Sequence, residues 1–345
     1  MLSCGACTAP ETCGGGGKSS VCGSPGTVGD AQAGGGGTDG GTGAPDGAAG
    51  TLASRYPCDK GIESDPAFVW GENFEEASMT AFTSRYDQVD NVPGMALDSN
   101  IPTKSCGTHS MSLTSGGAVS ATDFYKKLPD QEELFVRWYV KYQAGAPWHH
   151  TGVWFGGYDP PQTYPSPHAG TKPAGNDLFS IAIEPIWNVG SPNPDFDFYN
   201  YWMQMHTCTS CDGAYWGNEL VSRNSFTADD NQWVCVETHA KLNTDLTSST
   251  GAVLEVWKND ALVQSFPETG SVGFWVQDHF CPVGADGSQC NYAPFAPGPL
   301  DLQFRSTATL QLNYFWPQNY VTSTQTGTIQ FDDMVVATSR IGCLQ

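Results

Sequence analysis

The chain has 345 residues, a net charge of −21 and only 15 lysines and arginines, so the basic footprint that nucleic-acid binding requires is missing. No apolar run is long enough for a membrane-spanning helix. Seventeen of the first 50 residues are glycine and the first aromatic is Tyr56, so this stretch cannot bury enough apolar area to offset its chain entropy. Three parts follow: a Cys-rich head at 1–22, a Gly-rich flexible linker at 23–55, and one folded domain at 56–345.

In chain order, the folded part predicts strands at AFVWGENFE (67–75), SCGTHSMSLTS (105–115), LFVRWYVKY (134–142), TGVWFGGY (151–158), LFSIAIEPIW (178–187) and DFYNYWMQMH (197–206). QWVCVETHAKL (232–242), AVLEVWKND (252–260), ALVQSF (261–266), TLQLNYFW (309–316) and TIQFDDMVVAT (328–338) continue the series. These runs alternate, are rich in Val, Thr and aromatics, and are broken by Gly, Pro, Asn and Asp. Helical periodicity is confined to a short turn near 122–127. So many strands at this spacing predict an all-β protein: a two-sheet antiparallel β-sandwich of the jelly-roll kind.

Twelve cysteines in a chain rich in Asn, Gly and Thr point to disulfides and an oxidising compartment. Cys4, Cys7, Cys13 and Cys22 lie in the head; Cys281 and Cys290 flank what reads as a hairpin tip. A bridge between Cys58 and Cys343 would join the ends of the folded domain. The alternative for the CxxC pairs at 4–7 and 208–211 is zinc, although no second CxxC stands at finger spacing. The protein is expected to be secreted or tethered at the cell surface, and monomeric. The head resembles those of exported proteins of myxobacteria and their relatives, which implies a tether or spacer.

NFEE near the start, the GAVLEVWKND stretch ending at 260 and IQFDDMVVA (329–337) resemble the concanavalin A-like lectin and glucanase superfamily. That resemblance implies paired first and last strands and a concave sheet that holds an extended sugar chain. It also implies a structural calcium shared by the terminal strands, for which Asn73, Glu75 and Asp332 supply hard oxygen ligands. Within the superfamily, FVRWY (135–139), QMH (204–206) and YFWPQNY (314–320) resemble, in order, the three strand motifs of jelly-roll alginate lyases. Carried over, Arg137 and Gln204 would neutralise a uronate carboxylate, His206 would take the C5 proton, and Tyr320 would act as acid, or as acid and base. The chain departs from that pattern in lacking the Arg-x-Glu-Leu-Arg run and in placing Trp316 where the motif has Lys.

Alternation along the strands supplies a substrate face. Arg137, Tyr139 and Lys141 share one side, as do Asn200, Trp202, Gln204 and His206, and Gln311 with Asn313. Trp, amide, imidazole and guanidinium together suit stacking on sugar rings and hydrogen-bonding to hydroxyls. Trp316 and His150 are added as cleft residues; His149 and His150 are adjacent on a strand and point oppositely, so only one could join a metal site with His206. The expected function is cleavage of a uronate-containing polysaccharide by β-elimination, with no cofactor for catalysis. The alternatives are a glycoside hydrolase on a neutral β-glucan, using Asp195, Asp197 or Glu184 as carboxylates, and a non-catalytic lectin-like module. Neutral glycans would suit so acidic a protein, because a polyanion is repelled at long range.

Overall fold

The computed structural model describes residues 50–117, 121–165, 168–187, 194–222, 225–228, 231–268, 270–283 and 297–345. In chain order its strands are β1 (Phe68–Glu72), β2 (Gln88–Asp90), β3 (Met95–Asp98), β4 (Ser110–Gly116), β5 (Ala121–Gln131) and β6 (Glu133–Tyr142). Next come β7 (His150–Tyr158), β8 (Leu178–Trp187), β9 (Asp195–Phe198), β10 (Val234–Lys241), β11 (Val253–Lys258) and β12 (Ala261–Phe266). The last are β13 (Val272–Val276), β14 (His279–Pro282), β15 (Gly298–Pro299), β16 (Leu312–Tyr320) and β17 (Thr326–Ala337).

These form an antiparallel β-sandwich of jelly-roll type. The larger sheet runs β12-β11-β10-β6-β17-β4-β3, with β1 on the C-terminal half of β17. The smaller runs β2-β5-β16-β7-β8-β9, and β14-β13-β15 make a third, three-stranded sheet. The core joins both large sheets: Val136, Trp138 and Val140 of β6 pack in one cluster with Val153 and Phe155 of β7, Ile181 and Ile183 of β8, and Phe315 of β16. First and last strands pair as expected, Trp70 opposite Val336 and Glu72 opposite Met334.

Strand β6 shows why alternation alone misplaces a site. Its Val136/Trp138/Val140 side enters the core, and its other side is roofed by the segments at 52–62 and 341–344. Phe135 clusters with Leu52, Ile62 and Ile341, and Tyr139 with Cys235, Cys343 and Leu344. Glu237 accepts the N–H of Ile341 at 2.7 Å and of Gly342 at 3.0 Å, while the Tyr139 hydroxyl accepts that of Leu344 at 2.8 Å. These bonds satisfy a buried terminal segment that makes no strand ladder of its own.

Three expectations are corrected. Among the described residues the disulfides with both partners placed are Cys58–Cys106, Cys208–Cys211 and Cys235–Cys343. Cys58 and Cys343 are therefore each stapled to a neighbouring segment, because the C-terminus doubles back over β10 instead of meeting Cys58. Cys281 is also disulfide-bonded; Cys290 and the four cysteines of the head lie outside the described residues. Residues 122–127 are not a helical turn but part of β5, held by ladders to β2 and β16. The strand expected over 197–206 ends at Phe198. Asn200 and Tyr201 make only isolated bridges, to Asn218 and Ser180, and the chain then turns, with Met205 N bonded to Trp202 O at 3.2 Å. Trp202 and Met205 are both buried in the core, so hydrophobic burial replaces the alternating pattern there.

Candidate active site

The outward face of β7 carries His150, Gly152, Trp154 and Gly156, alternating with Thr151, Val153 and Phe155 below. A Cβ at Gly152 would meet Ile183 O at 2.1 Å and one at Gly156 would meet Phe179 O at 2.3 Å, so only glycine allows β8 to lie this close. Strand β16 lies on the other side in register: Tyr320 opposite His150, Gln318 opposite Gly152, and Trp316 opposite Trp154. Direct partners in an antiparallel pair have Cβ atoms about 4.5–5.5 Å apart, so the ladder itself fixes Tyr320 beside His150.

Side-chain contacts lock that pair. His150 Nδ1 lies 2.7 Å from Glu184 Oε1, and the other carboxylate oxygen accepts Trp154 Nε1–H at 3.1 Å. Glu184 is fully buried on β8 while the His150 side chain is 25% exposed, so the imidazole reaches solvent with one nitrogen tied down. A carboxylate at Nδ1 takes the N–H there and leaves Nε2 with its lone pair outward. The Tyr320 ring lies 6.1 Å from the His150 ring at 14°, and the Tyr199 ring 4.9 Å away.

Beside this pair runs a row of rings. Centroid separations are 5.8 Å from Tyr199 to Trp154, 5.8 Å from Trp154 to Trp316, and 5.9 Å from Trp316 to Tyr164. Trp316 Nε1 donates to Asp123 at 3.0 Å. Burial pushes the Asp123 carboxyl up to about 7, against the pull of the Trp316 bond. Tyr201 packs edge-on to His168 at 4.6 Å and, mainly through burial, titrates at about 12. Trp154 is buried within the row, and the half-buried rings of Tyr199, Trp316 and Tyr164 are the ones that can stack on sugar rings, with His150 and Tyr320 at their side.

Of the residues expected to act together, Tyr320, His150 and Trp316 share this face. Arg137 does not: it is fully buried in the larger sheet and paired with Asp59. Tyr139 and Lys141 belong to that same sheet, and the Lys141 ammonium lies 5.8 Å from the Trp233 ring centroid. Gln204 donates to Gln303 at 2.9 Å, and His206 stacks on Trp275 of β13 at 3.9 Å, at the rim of the three-stranded sheet. Trp202 is fully buried and donates to Asp301 O at 2.8 Å. Asn200 is buried, with its amide oxygen accepting Ala182 N–H at 3.2 Å. Asn313 is buried against Tyr158 and Asp130, and Gln311 donates to Glu132 at 3.0 Å. Glu184 and Asp197, weighed as hydrolase carboxylates, face each other across β8 and β9. Trp154, Tyr199, Gln318 and Asp123 were not singled out by the sequence; the alternation H-T-G-V-W in β7 held the only cue, for Trp154.

The residues expected to hold calcium are partly assembled. Asn73, Glu75 and Asp333 line a cavity of about 310 Å³ with Asp59 and Glu63. Glu75 accepts from Thr108 Oγ1 and His109 N, each at 2.7 Å. Asp333 sits at φ 42° in a bulge of β17, beside the fully buried Asp332. One carboxylate oxygen each of Asp59, Asp332 and Asp333 is buried without a hydrogen-bond partner. Burial and then the Asp333 charge push Asp332 up to about 9. Lys60 also lines the cavity and Arg137 pairs with Asp59, yet the oxygen-only donors with three unpartnered carboxylate oxygens fit a hard divalent cation.

No family model matches the chain and no curated protein matches it. Solved structures do. The alginate lyase Aly36B superposes with a TM-score of 0.53 at 10% identity, over 80% of this chain and 99% of that one. A variant of that enzyme in complex with alginate tetrasaccharide gives 0.51 at 12%, over 80% and 99%. The marine PL-14 alginate lyase from Aplysia kurodai gives 0.50 at 12%, over 79% and 99%. The chain shares the jelly-roll fold of these lyases. At such identities the likeness is one of fold, and function has to be argued from the site.

Proposed function

We propose that the protein is a secreted or surface-tethered polysaccharide lyase that cleaves a uronate-containing glycan by β-elimination, acting as a monomer, with His150 as base and Tyr320 as acid. The observation that carries this reading is the His150–Glu184 pair set directly across the ladder from Tyr320. Nε2 of His150 takes the C5 proton, the C4–O bond to the leaving sugar breaks, a C4=C5 double bond forms, and the Tyr320 hydroxyl protonates the departing oxygen. Abstraction next to a carboxylate requires that its charge be quenched. Gln318, between Tyr320 and Trp316 on the same face, is the neutral donor placed for that role, in place of Arg137 and Gln204. We propose also that Ca²⁺ binds between Asp59, Asn73 and Asp333 as a structural ion, remote from the chemistry.

The aromatic row and the charge of −21 favour a second reading, a site that holds a neutral glycan without cutting it. Incubation with a panel of uronate and neutral glycans separates the two. Ultraviolet absorbance from an unsaturated uronide is expected, and it should vanish in His150→Ala and Tyr320→Phe. Full activity in both variants would sink the mechanism; retention on a neutral glycan without new ends would favour the second reading.

A further inference from the structure

Strand β9 is the edge of the smaller sheet, next to the strand that carries Glu184. On it, Asp197 meets two residues from separate parts of the chain, Glu219 and His279. Each of the three offers one ligand atom, a carboxylate oxygen or a ring nitrogen, and these atoms all lie within 4.8 Å of one another.

Backbone contacts hold the three residues in place. Glu219 and His279 form a parallel bridge: Glu219 N bonds Asp278 O at 3.2 Å, and Phe280 N bonds Glu219 O at 2.9 Å. Glu219 Oε2 is 3.2 Å from His279 Nδ1. Asp197 Oδ1 accepts three backbone N–H groups, from Phe198, Leu220 and Val221, each at 2.7 Å. Its other oxygen, Oδ2, is buried and has no hydrogen-bond partner.

A fully buried carboxylate with one oxygen lacking a donor is costly, and the remedy is a proton or a cation at that oxygen. With all three backbone donors on Oδ1, Oδ2 is left facing a second acid and an imidazole.

We propose that Asp197, Glu219 and His279 bind a divalent transition-metal ion of the zinc class. Imidazole nitrogen with two carboxylates disfavours Ca²⁺ and Mg²⁺, which take oxygen alone. Metal–ligand bonds of about 2.0–2.2 Å place neighbouring ligand atoms of a tetrahedral ion roughly 3.3–3.5 Å apart, and the Glu219–His279 pair is already at 3.2 Å. The ion joins β14, the 219–221 segment and β9, and so braces the strand beside Glu184. The proposal does not depend on the lyase reading.

A second cluster, Cys208, Cys211 and Asp278, adjoins it, and its cysteines form a disulfide. The test therefore has to tell the two apart. The full chain is stripped with chelator and titrated with Zn²⁺, with bound metal counted by mass spectrometry after desalting and unfolding followed by melting temperature. One Zn²⁺ per chain and a raised melting temperature are expected, with affinity lowered by at least about tenfold in Asp197→Asn and in Glu219→Gln. Loading with Co²⁺ should give visible bands without a thiolate charge-transfer band. Absence of stoichiometric Zn²⁺, wild-type affinity in both variants, or a thiolate band that disappears in Cys208→Ser would each overturn the proposal. Should Asp197→Asn fail to fold, Glu219→Gln, whose side chain is 15% exposed, decides the matter alone.

Discussion

Replacing Glu184 by Gln tests the site at its most constrained point. The carboxylate is fully buried, with His150 Nδ1 at 2.7 Å and Trp154 Nε1 at 3.1 Å. Gln keeps the shape and one acceptor, but its amide nitrogen can only donate, so one of the two N–H groups loses its partner. A hydrogen bond to a charged group contributes about 1.5–3 kcal/mol, and tenfold in rate corresponds to about 1.4 kcal/mol. If Glu184 serves to hold Nε2 outward, kcat on a uronate glycan should fall about 10- to 150-fold, with KM little changed because the aromatic row is intact. The assay is the initial rate of unsaturated product, with circular dichroism as a check of folding. His150→Ala should cost more, and the double variant no more than His150→Ala alone, since Glu184 acts through the imidazole. Losses that multiply in the double variant, or a Glu184→Gln enzyme within about twofold of wild type, would refute the positioning role.

Asp123 has a folded-state value raised from 3.8 to about 7 by burial, so the folded protein holds a proton that the unfolded chain releases. Stability should therefore be greatest at low pH with respect to this group and fall as pH rises from about 4 to about 7, and Asp123→Asn should flatten that fall in melting temperature. Trp202→Ala should destabilise the fold by about 3–5 kcal/mol in denaturant titration, as expected of a core tryptophan. Trp316→Ala, at a half-buried ring on the site face, should instead weaken retention on glycan. Ca²⁺ at 100 times its dissociation constant should stabilise the wild type by about 2.7 kcal/mol and leave Asp333→Asn little changed; an equal shift in both would place the ion elsewhere.

Much of the fold was legible in the chain. Alternating runs at 134–142, 151–158 and 178–187 became β6, β7 and β8, because a side-chain period of two leaves a half-buried strand little choice of register face. The pairing of β1 with β17 was likewise visible in the terminal motifs. The site was legible only in fragments. Tyr320 could be named from the YFWPQNY motif, Trp316 from its place within that motif, and His150 from its position at the start of a strand beside the expected cleft.

What alternation cannot say is which sheet a strand joins and what covers each face. The two-faced pattern of FVRWY is the same whether its polar side lines a cleft or lies beneath other segments; tertiary packing put Arg137 beneath the segments at 52–62 and 341–344, against Asp59. YWMQMH reads as a strand until the burial of Trp202 and Met205 bends it away after Phe198. The pairing of His150 with Glu184 spans 34 residues of sequence and arises only when β7 and β8 zip together. Local sequence thus determined most of the strands and their alternation, while burial and the long-range ladder decided where 197–206 turns and which side chains meet.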